Sequence, residues 1–596
     1  MRLKIFLILV VVSSVVYANS INNGFVYDDK TSIIENPYIR EIKNIPAFFT
    51  HPEYLSSVGH GNHYRPLIPI SYTINYAISG LNPPVYHITN LLFHIGTAFL
   101  LFLTVEAMLG GRGEDNFFIA LAAALIFAVH PFNSEALNYI VARSSLMSGF
   151  FYLLAFYCWV KYRSEKIEDR GKITSYFYLG SLFAFLLGML SKESVITLPI
   201  VLWLYDIYFI HPLNTRHSAL RTLLNWRTYI PYLPFIIFLA LPLIMRAVHA
   251  EGGVIPPFKR DIGSQIFTII PVLAGYLKFL FLPTGLTIAH KVEIYHTVLA
   301  FSVIFSSLIL LLYLLNAIYL YTLKEMEWRI LSFFMIWYFI TLLIIIIVPL
   351  NSILQENRAY ISGIGFAIFL GIIIGKLAYS GHRIKLAYGL LSILIVLYGI
   401  GTYYRNTTWR DGVTVWTDAM NKSPYESLPY NNLGVAYKNK GDYVMAREIF
   451  YKGIRLAPNE WILHYNLANV FRATKEFDLA LEEYNRAIRL NPLVPPAYDG
   501  KGYIHLFRGE IEESAELFRK AIDIKPDYAS AHYNMGIAMK RLGRFDDARR
   551  ELTTAHYYAS MSNAEFNKML VKKIQEQLEG GEGTGMENGV YEDVNQ

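Results

Sequence analysis

Residues 427–460 read SLPYNNLGVAYKNKGDYVMAREIFYKGIRLAPNE, and residues 461–494 read WILHYNLANVFRATKEFDLALEEYNRAIRLNPLV. Laid over each other and over the next two blocks, they keep one 34-residue register. Small residues recur at Gly434, Ala468, Gly502 and Gly536, and again at Ala446, Ala480, Ser514 and Ala548. A large residue recurs at Phe450, Tyr484, Phe518 and Leu552, and proline at Pro424, Pro458, Pro492 and Pro526. Small residues let two helices touch, and proline closes the second helix, so the register predicts four helical hairpins over 427–460, 461–494, 495–528 and 529–562.

This period and residue pattern resembles the tetratricopeptide repeat. A connecting stretch, 404–426, holds a lone helix from Asp411 to Asn421, and a capping helix from about Asn563 to Leu578 closes a repeat domain over 427–579. The Gly- and Glu-rich tail, 580–596, is expected to be disordered. Stacked hairpins form a concave groove, which suits peptide or protein binding, and no catalytic constellation lies in them.

Outward from the repeats the composition changes. Of 596 residues, 54% are hydrophobic and 17% charged, but the first 403 hold 28 Lys and Arg with 20 Asp and Glu, whereas the last 193 hold 25 with 27. The net charge of +6 therefore divides into +8 and −2, and no nucleic-acid partner is expected. A mean hydropathy of +0.32 and one cysteine exclude a disordered chain and a disulfide scaffold.

A helix needs ~20 apolar residues to cross a ~30 Å hydrocarbon core. Runs of that kind lie near 4–19, 86–109, 117–130, 138–160, 174–190, 194–210, 229–248, 298–321, 330–349, 360–379 and 386–403, so 1–403 reads as an all-α polytopic domain of about 11 spans. The stretch 264–283 contains Pro271, Gly275 and Lys278 and is expected to be interfacial or re-entrant on the outer side. Basic residues in short loops stay cytoplasmic. Lys161, Arg163, Lys166, Arg170 and Lys172, then Arg216, Arg221 and Arg227, mark two inside loops, and Lys324 with Arg329 and Arg383 with Lys385 mark two more. The amino terminus is then cytoplasmic and the repeats lie outside, in a bacterial inner membrane or its equivalent. The first segment, with Arg2 and Lys4 before a short apolar core, also fits a cleaved signal peptide. Either reading places Asn19 onward outside, in a first outer loop over 20–85.

Ionisable groups are costly near a bilayer, so their retention calls for a reason. Here they gather at the outer ends of the spans: Asp28-Asp29, Asn36, Arg65, then His87, Asn90 and His94 on one helical face. Glu135, Arg143, Lys192-Glu193, Glu356-Asn357-Arg358 and Tyr360 follow. Adjacent carboxylates suit proton abstraction from a hydroxyl, and Arg and Lys suit a phosphate. Each has a plainer reading: a solvated turn for Asp28-Asp29, interhelical hydrogen bonding for His87, Asn90 and His94, interface anchoring for Arg65, and pairing at a helix end for Lys192 and Glu193.

The order of these motifs is more specific than any one. Gly24-Phe-Val-Tyr-Asp-Asp-Lys-Thr-Ser-Ile-Ile-Glu-Asn-Pro37, Tyr64-Arg-Pro-Leu67 and Gly80-Leu-Asn-Pro-Pro-Val-Tyr-His87 lead the series. His130-Pro131, Glu135-Ala136, Val141-Ala142-Arg143, Ser191-Lys-Glu193, Tyr205-Asp206 and Glu356-Asn-Arg-Ala-Tyr360 continue it. Together they closely resemble the transmembrane and tetratricopeptide-repeat (TMTC-like) proteins, which are similar to protein O-mannosyltransferases of the GT-C superfold. The resemblance implies a membrane glycosyltransferase that moves a sugar, typically mannose, from a polyprenyl-phosphate donor to protein Ser or Thr hydroxyls outside the cytoplasm. It implies Asp28 as general base and Asp29 as its supporting or acceptor-orienting partner; from their charge and place at the outer boundary, Arg65, Arg143, Lys192 and Arg358 are expected to hold the donor phosphate. Asn36, His87, Asn90, His94, Glu135, Glu193, Glu356 and Tyr360 support the pocket. The membrane lipid holds the donor, and the repeat groove presents the acceptor protein.

No cofactor or metal is required in this scheme; the alternative is a divalent ion shared by Asp28, Asp29 and Glu135. The chain departs from the resemblance in three ways: its longest outer gap, 250–263, is too short for the beta-trefoil of other O-mannosyltransferases, it has about four repeats, and Asn357 separates Glu356 from Arg358. The rival from another class is a membrane-anchored repeat scaffold for envelope assembly, which has no need of polar motifs clustered at one face. A transporter would show inverted repeats and polar groups near the midplane, and neither is visible.

Overall fold

The computed structural model describes residues 1–56, 64–110, 113–164, 172–210, 226–248, 261–348, 350, 352–379, 383–561 and 565–579. The basic loop residues Lys166, Arg170, Arg216 and Arg221 and the tail 580–596 lie outside the described residues. Among the described residues the regular secondary structure is all helical, and the chain divides into two units. The first comprises Met1–Asp29, Glu41–Leu55 and His60–Arg410, and the second Lys30–Arg40, Ser56–Gly59 and Asp411–Gln596. The division falls after Arg410 rather than at 403, and Lys30–Arg40, read above as part of an outer loop of the membrane domain, groups with the repeats.

Among the described residues of the first unit, nine helices are long and apolar enough to cross a membrane: Arg2–Ser20, Pro83–Met108, Ile140–Ser164, Glu193–Ile210, Ile262–Phe281, Phe301–Thr322, Met326–Ile347, Glu356–Ala378 and Ile384–Thr408. A tenth is obtained if Glu114–Val129 and Pro131–Asn138, bent by 49°, count as one. The bend has a local cause, since Pro131 lacks an N–H and its ring pushes His130 into an extended conformation (φ −69°, ψ 126°). The expected eleven becomes nine or ten because Ser175–Met189 and Tyr229–Ala240 are shorter apolar helices, while Ile262–Phe281, expected to be interfacial or re-entrant, is long and apolar enough to cross.

After Ile262–Phe281 the chain doubles back along that helix. Tyr295 N–H donates to Thr268 Oγ1 (3.1 Å), and His296 Nδ1 lies 2.7 Å from Ser264 Oγ, so residues 295–296 return to the end at which the helix began.

Small residues bring the central helices together. A Cβ at Gly371 would lie 2.9 Å from Ala123 Cβ and one at Gly375 2.2 Å from Ile119, so Tyr360–Tyr379 and Glu114–Val129 pack nearly backbone to backbone. The first helix buries Ile5, Leu9, Ser13 and Tyr17, one residue per turn, within the same core. Asp206 is a buried pin: it pairs with Arg163 at 2.7 Å and accepts hydrogen bonds from Trp159 (3.1 Å) and Tyr232 (2.7 Å).

In the second unit the hairpins run Ser427–Asn439 with Tyr443–Leu456, Trp461–Ala473 with Phe477–Leu490, Pro495–Arg508 with Ile511–Ile524, and Ala529–Arg541 with Phe545–Met561. Gly412–Lys422 precedes them behind an Asp411 capping box, and Glu565–Glu579 follows. The periodic glycines sit where helices touch: a Cβ would come within 2.5 Å of Phe450 at Gly434 and within 2.7 Å of Phe518 at Gly502.

Candidate functional site

The chain enters the acidic pair through Tyr27, whose φ of 52° lies in the left-handed region that side chains with a Cβ rarely adopt. The two aspartates then diverge. Asp28 is exposed and accepts a hydrogen bond from the Tyr139 hydroxyl at 2.9 Å. Asp29 is fully buried and is held by backbone, accepting from Val26 N–H at 3.0 Å and Val141 N–H at 2.9 Å. Desolvation raises both carboxyls. Asp28 lies above its ordinary value, with the Tyr139 hydrogen bond opposing. Asp29 is pushed up to about 7, chiefly by burial and further by Asp28, against the hydrogen bonds from Val26, Val141 and Ile140. Tyr139, which stacks on Trp409 with ring centroids 5.9 Å apart, was not singled out from sequence, and its place beside Asn138 was the only hint.

Three of the four proposed phosphate cations come together. Arg65 is paired with Glu193 through Nε at 3.0 Å and Nη2 at 2.6 Å. Lys192 Nζ donates to Ser145 Oγ at 2.7 Å. Arg358 is anchored by its Nη1 on the carbonyls of Ser352 and Ile353. Burial, together with Arg65 and Arg358, lowers the Lys192 ammonium to about 7, with Glu193 and Glu135 opposing. Tyr72 joins this cluster to the acidic pair, since its ring lies in the fields of Arg143, Asp29 and Arg65.

Arg143 departs from the expectation. It is fully buried, with Nε on Asn90 Oδ1 (2.7 Å), Nη1 on Ser71 Oγ (2.9 Å), Nη2 on the Tyr86 carbonyl (3.0 Å), and its guanidinium 4.8 Å from the Tyr72 ring centroid. Every nitrogen is committed to protein, so Arg143 clamps helices together and has no open face for a donor phosphate.

The three residues 356–358 diverge. Glu356 accepts from Thr287 N–H (2.6 Å), lies 3.0 Å from His290 Nε2 and 3.7 Å from Arg405 Nη2, and is buried. Asn357 Nδ2 donates to Glu135 Oε1 (2.6 Å), and Glu356 N–H donates to Glu135 Oε2 (3.2 Å). Arg405 was missed because it stands at the far end of the last apolar run and pairs with Glu356 on another helix, 49 residues earlier in the chain.

The histidines act as struts. His94 Nε2 donates to the Ala128 carbonyl (3.1 Å), leaving Nδ1 to accept from the Tyr360 hydroxyl (2.8 Å), and His87 Nε2 donates to the Asn23 carbonyl (3.0 Å). Both nitrogens of His94 are therefore occupied, and Glu135 and Asp29 have both oxygens engaged. Among the described residues no group of three or more His, Cys, Asp or Glu is placed to hold a metal ion. Asn36 belongs to the second unit, where its Oδ1 accepts from Tyr38 N–H at 3.0 Å. Asn406, which heads the Asn-Thr-Thr sequon, is fully buried, its amide donating to Val16 O and Asn19 Oδ1 at 3.0 Å each.

Family models described as tetratricopeptide repeat match residues 429–460 and 461–493, and one described as TPR repeat matches 502–543. The human protein O-mannosyl-transferase TMTC3 is 22% identical over 91% of this chain and 63% of its own length. Tmtc3 of Drosophila melanogaster, also named a protein O-mannosyl-transferase, is 24% identical over 90% of this chain and 66% of its own. The chain resembles these TMTC proteins along nine-tenths of its length. Human TMTC2 is 30% identical over 45% of this chain and 32% of its own. The chain spans about two thirds of the length of the first two relatives. One solved structure, of the MamA protein, aligns over 25% of this chain and 81% of that one at 24% identity, with a TM-score of 0.23. The chain carries tetratricopeptide repeats and is an integral membrane protein.

Proposed function

We propose that this protein is a GT-C-type membrane glycosyltransferase that moves a sugar, mannose by analogy with its relatives' names, from a polyprenyl-phosphate donor to Ser or Thr hydroxyls of an acceptor protein. The observation that carries the reading is the crowding of Arg65, Lys192 and Arg358. Two guanidiniums beside a half-buried ammonium repel it, and an anion placed among them relieves that repulsion. The leaving phosphate of a lipid-linked sugar is such an anion.

In the reaction, Asp28 takes the proton of the acceptor hydroxyl. The hydroxyl oxygen attacks C1 of the sugar opposite the phosphate, the C1–O bond to phosphate breaks, and polyprenyl phosphate leaves with the bonding pair. The anomeric centre inverts. A carboxyl raised by its surroundings is a stronger base than a solvated aspartate, and Asp29, tied to the backbone, holds the turn that presents it. Fixed cations stabilise the charge that develops on the leaving phosphate, and no metal or cofactor is needed. The repeat groove positions the acceptor, and the active face and the repeats are extracytoplasmic.

With purified full-length protein and radiolabelled polyprenyl-phosphate mannose, Asp28→Asn lowers transfer by ~10²-fold or more with the fold intact. Arg358→Ala raises the donor KM by ~10-fold while leaving the acceptor KM near its original value. Full activity of Asp28→Asn removes Asp28 from the mechanism, and an effect of Arg358→Ala on acceptor alone assigns that residue elsewhere.

A further inference from the structure

The Lys192 ammonium makes a single protein hydrogen bond among the described residues, and that bond opens a chain with a defined direction. Its ammonium only donates, and it donates to Ser145 Oγ (2.7 Å). Ser145 Oγ–H donates to Asn357 Oδ1 (3.3 Å), and Asn357 Nδ2 donates to Glu135 Oε1 (2.6 Å). Glu135 accepts on both oxygens, since its second oxygen takes the Glu356 N–H at 3.2 Å. With a pure donor at one end and an accepting carboxyl oxygen at the other, the orientation of each hydroxyl and amide between them is determined. Ser145 and Asn357 are 2% and 9% exposed, so water does not readily replace either link.

We propose that Ser145 and Asn357 are positioning residues that fix the Lys192 ammonium within the Arg65–Lys192–Arg358 cluster and connect it to Glu135, so that the ammonium is held in place to receive a phosphate.

This rests on the phosphate reading given above. The groups facing Lys192 are Arg65 from the segment before Leu67–Ser79, Ser145 from Ile140–Ser164, Glu193 at the start of Glu193–Ile210, Glu135 from Ser134–Asn138, and Arg358 from Glu356–Ala378. The two arginines oppose protonation and the two glutamates favour it, Glu135 partly through the relay. Hydrogen bonds in such a chain polarise one another, so removing an interior link weakens both ends.

The test is binding of undecaprenyl phosphate to full-length protein in nanodiscs between pH 6 and pH 9. For Ser145→Ala the expected result is a midpoint of the pH dependence shifted to lower pH, affinity near wild type at pH 6, and a ~10-fold loss at pH 8. Asn357→Leu shifts the profile in the same direction, Ser145→Thr restores it, and Lys192→Met weakens binding and abolishes that titration. A Ser145→Ala profile equal to wild type, or a loss of the same size at every pH, overturns the relay while leaving the phosphate reading standing if Lys192→Met still weakens binding. Wild-type binding by Lys192→Met overturns the phosphate reading and the relay with it.

Discussion

Asp28 and Asp29 are chemically identical neighbours with different surroundings. Asp28 is exposed and accepts from the Tyr139 phenol, whereas Asp29 has no exposed surface and is held by backbone N–H groups. The folded value of Asp29, about 7, lies above the 3.8 of a free aspartate. Between those two values the native state binds the extra proton, so this residue's contribution to stability is complete at acid pH and is lost as pH rises through about 7. Thermal melts of wild type should show that loss, and melts of Asp29→Asn should lack it. An unchanged profile in the variant assigns the titration to another group. The doublet was legible in sequence, but the division between an exposed carboxylate and a buried one was not, because burial depends on Val141, more than a hundred residues away.

At the scale of helices, alternate repeats carry the same buried pair. His464 meets Glu483 at 2.5 Å and the Pro458 carbonyl at 3.0 Å, and two repeats later His532 meets Glu551 at 2.7 Å and the Pro526 carbonyl at 2.9 Å. Each pair ties the two helices of one hairpin. The Glu483 hydrogen bond raises His464 above its ordinary value. At His532 burial opposes, but Glu551 and the Pro526 carbonyl outweigh it. A raised histidine contributes fully below its unfolded value of 6.5, and the contribution disappears as pH rises through the folded value. Hydrogen exchange, corrected for intrinsic rate, should therefore show 461–490 and 529–561 opening more readily at pH 8.5 than at pH 6, by ~1 kcal/mol or less per pair. Glu483→Gln with Glu551→Gln should flatten the difference. The 34-residue register exposed the hairpins, but the pairs escaped it because they occur in every second repeat.

For the whole molecule, the helix Ile262–Phe281 decides how the chain threads the bilayer. Its 20 residues span ~30 Å, enough to cross. The return of Tyr295 and His296 to Thr268 and Ser264 nevertheless brings the chain back to the end where it entered. The basic loops at Lys324 and Arg383 lead to the expectation that both flanks lie on one face. With the sole cysteine replaced (Cys158→Ala), single cysteines at Asp261→Cys and Thr297→Cys should react with an impermeant maleimide from the same, outer face of sealed vesicles. Labelling from opposite faces shows a crossing helix and reverses the side assigned to one of its flanks.

Local pattern was enough for the two-part architecture, because apolar runs and a 34-residue register are properties of consecutive residues and bury themselves in only one way. The gathering of Arg65, Lys192 and Arg358, the relay from Lys192 to Glu135, and the withdrawal of Arg143 behind Asn90, Ser71 and Tyr86 were decided by tertiary structure alone. A charge near a bilayer must find a partner, but that partner lies on another helix tens to hundreds of residues away, and only packing brings the two together.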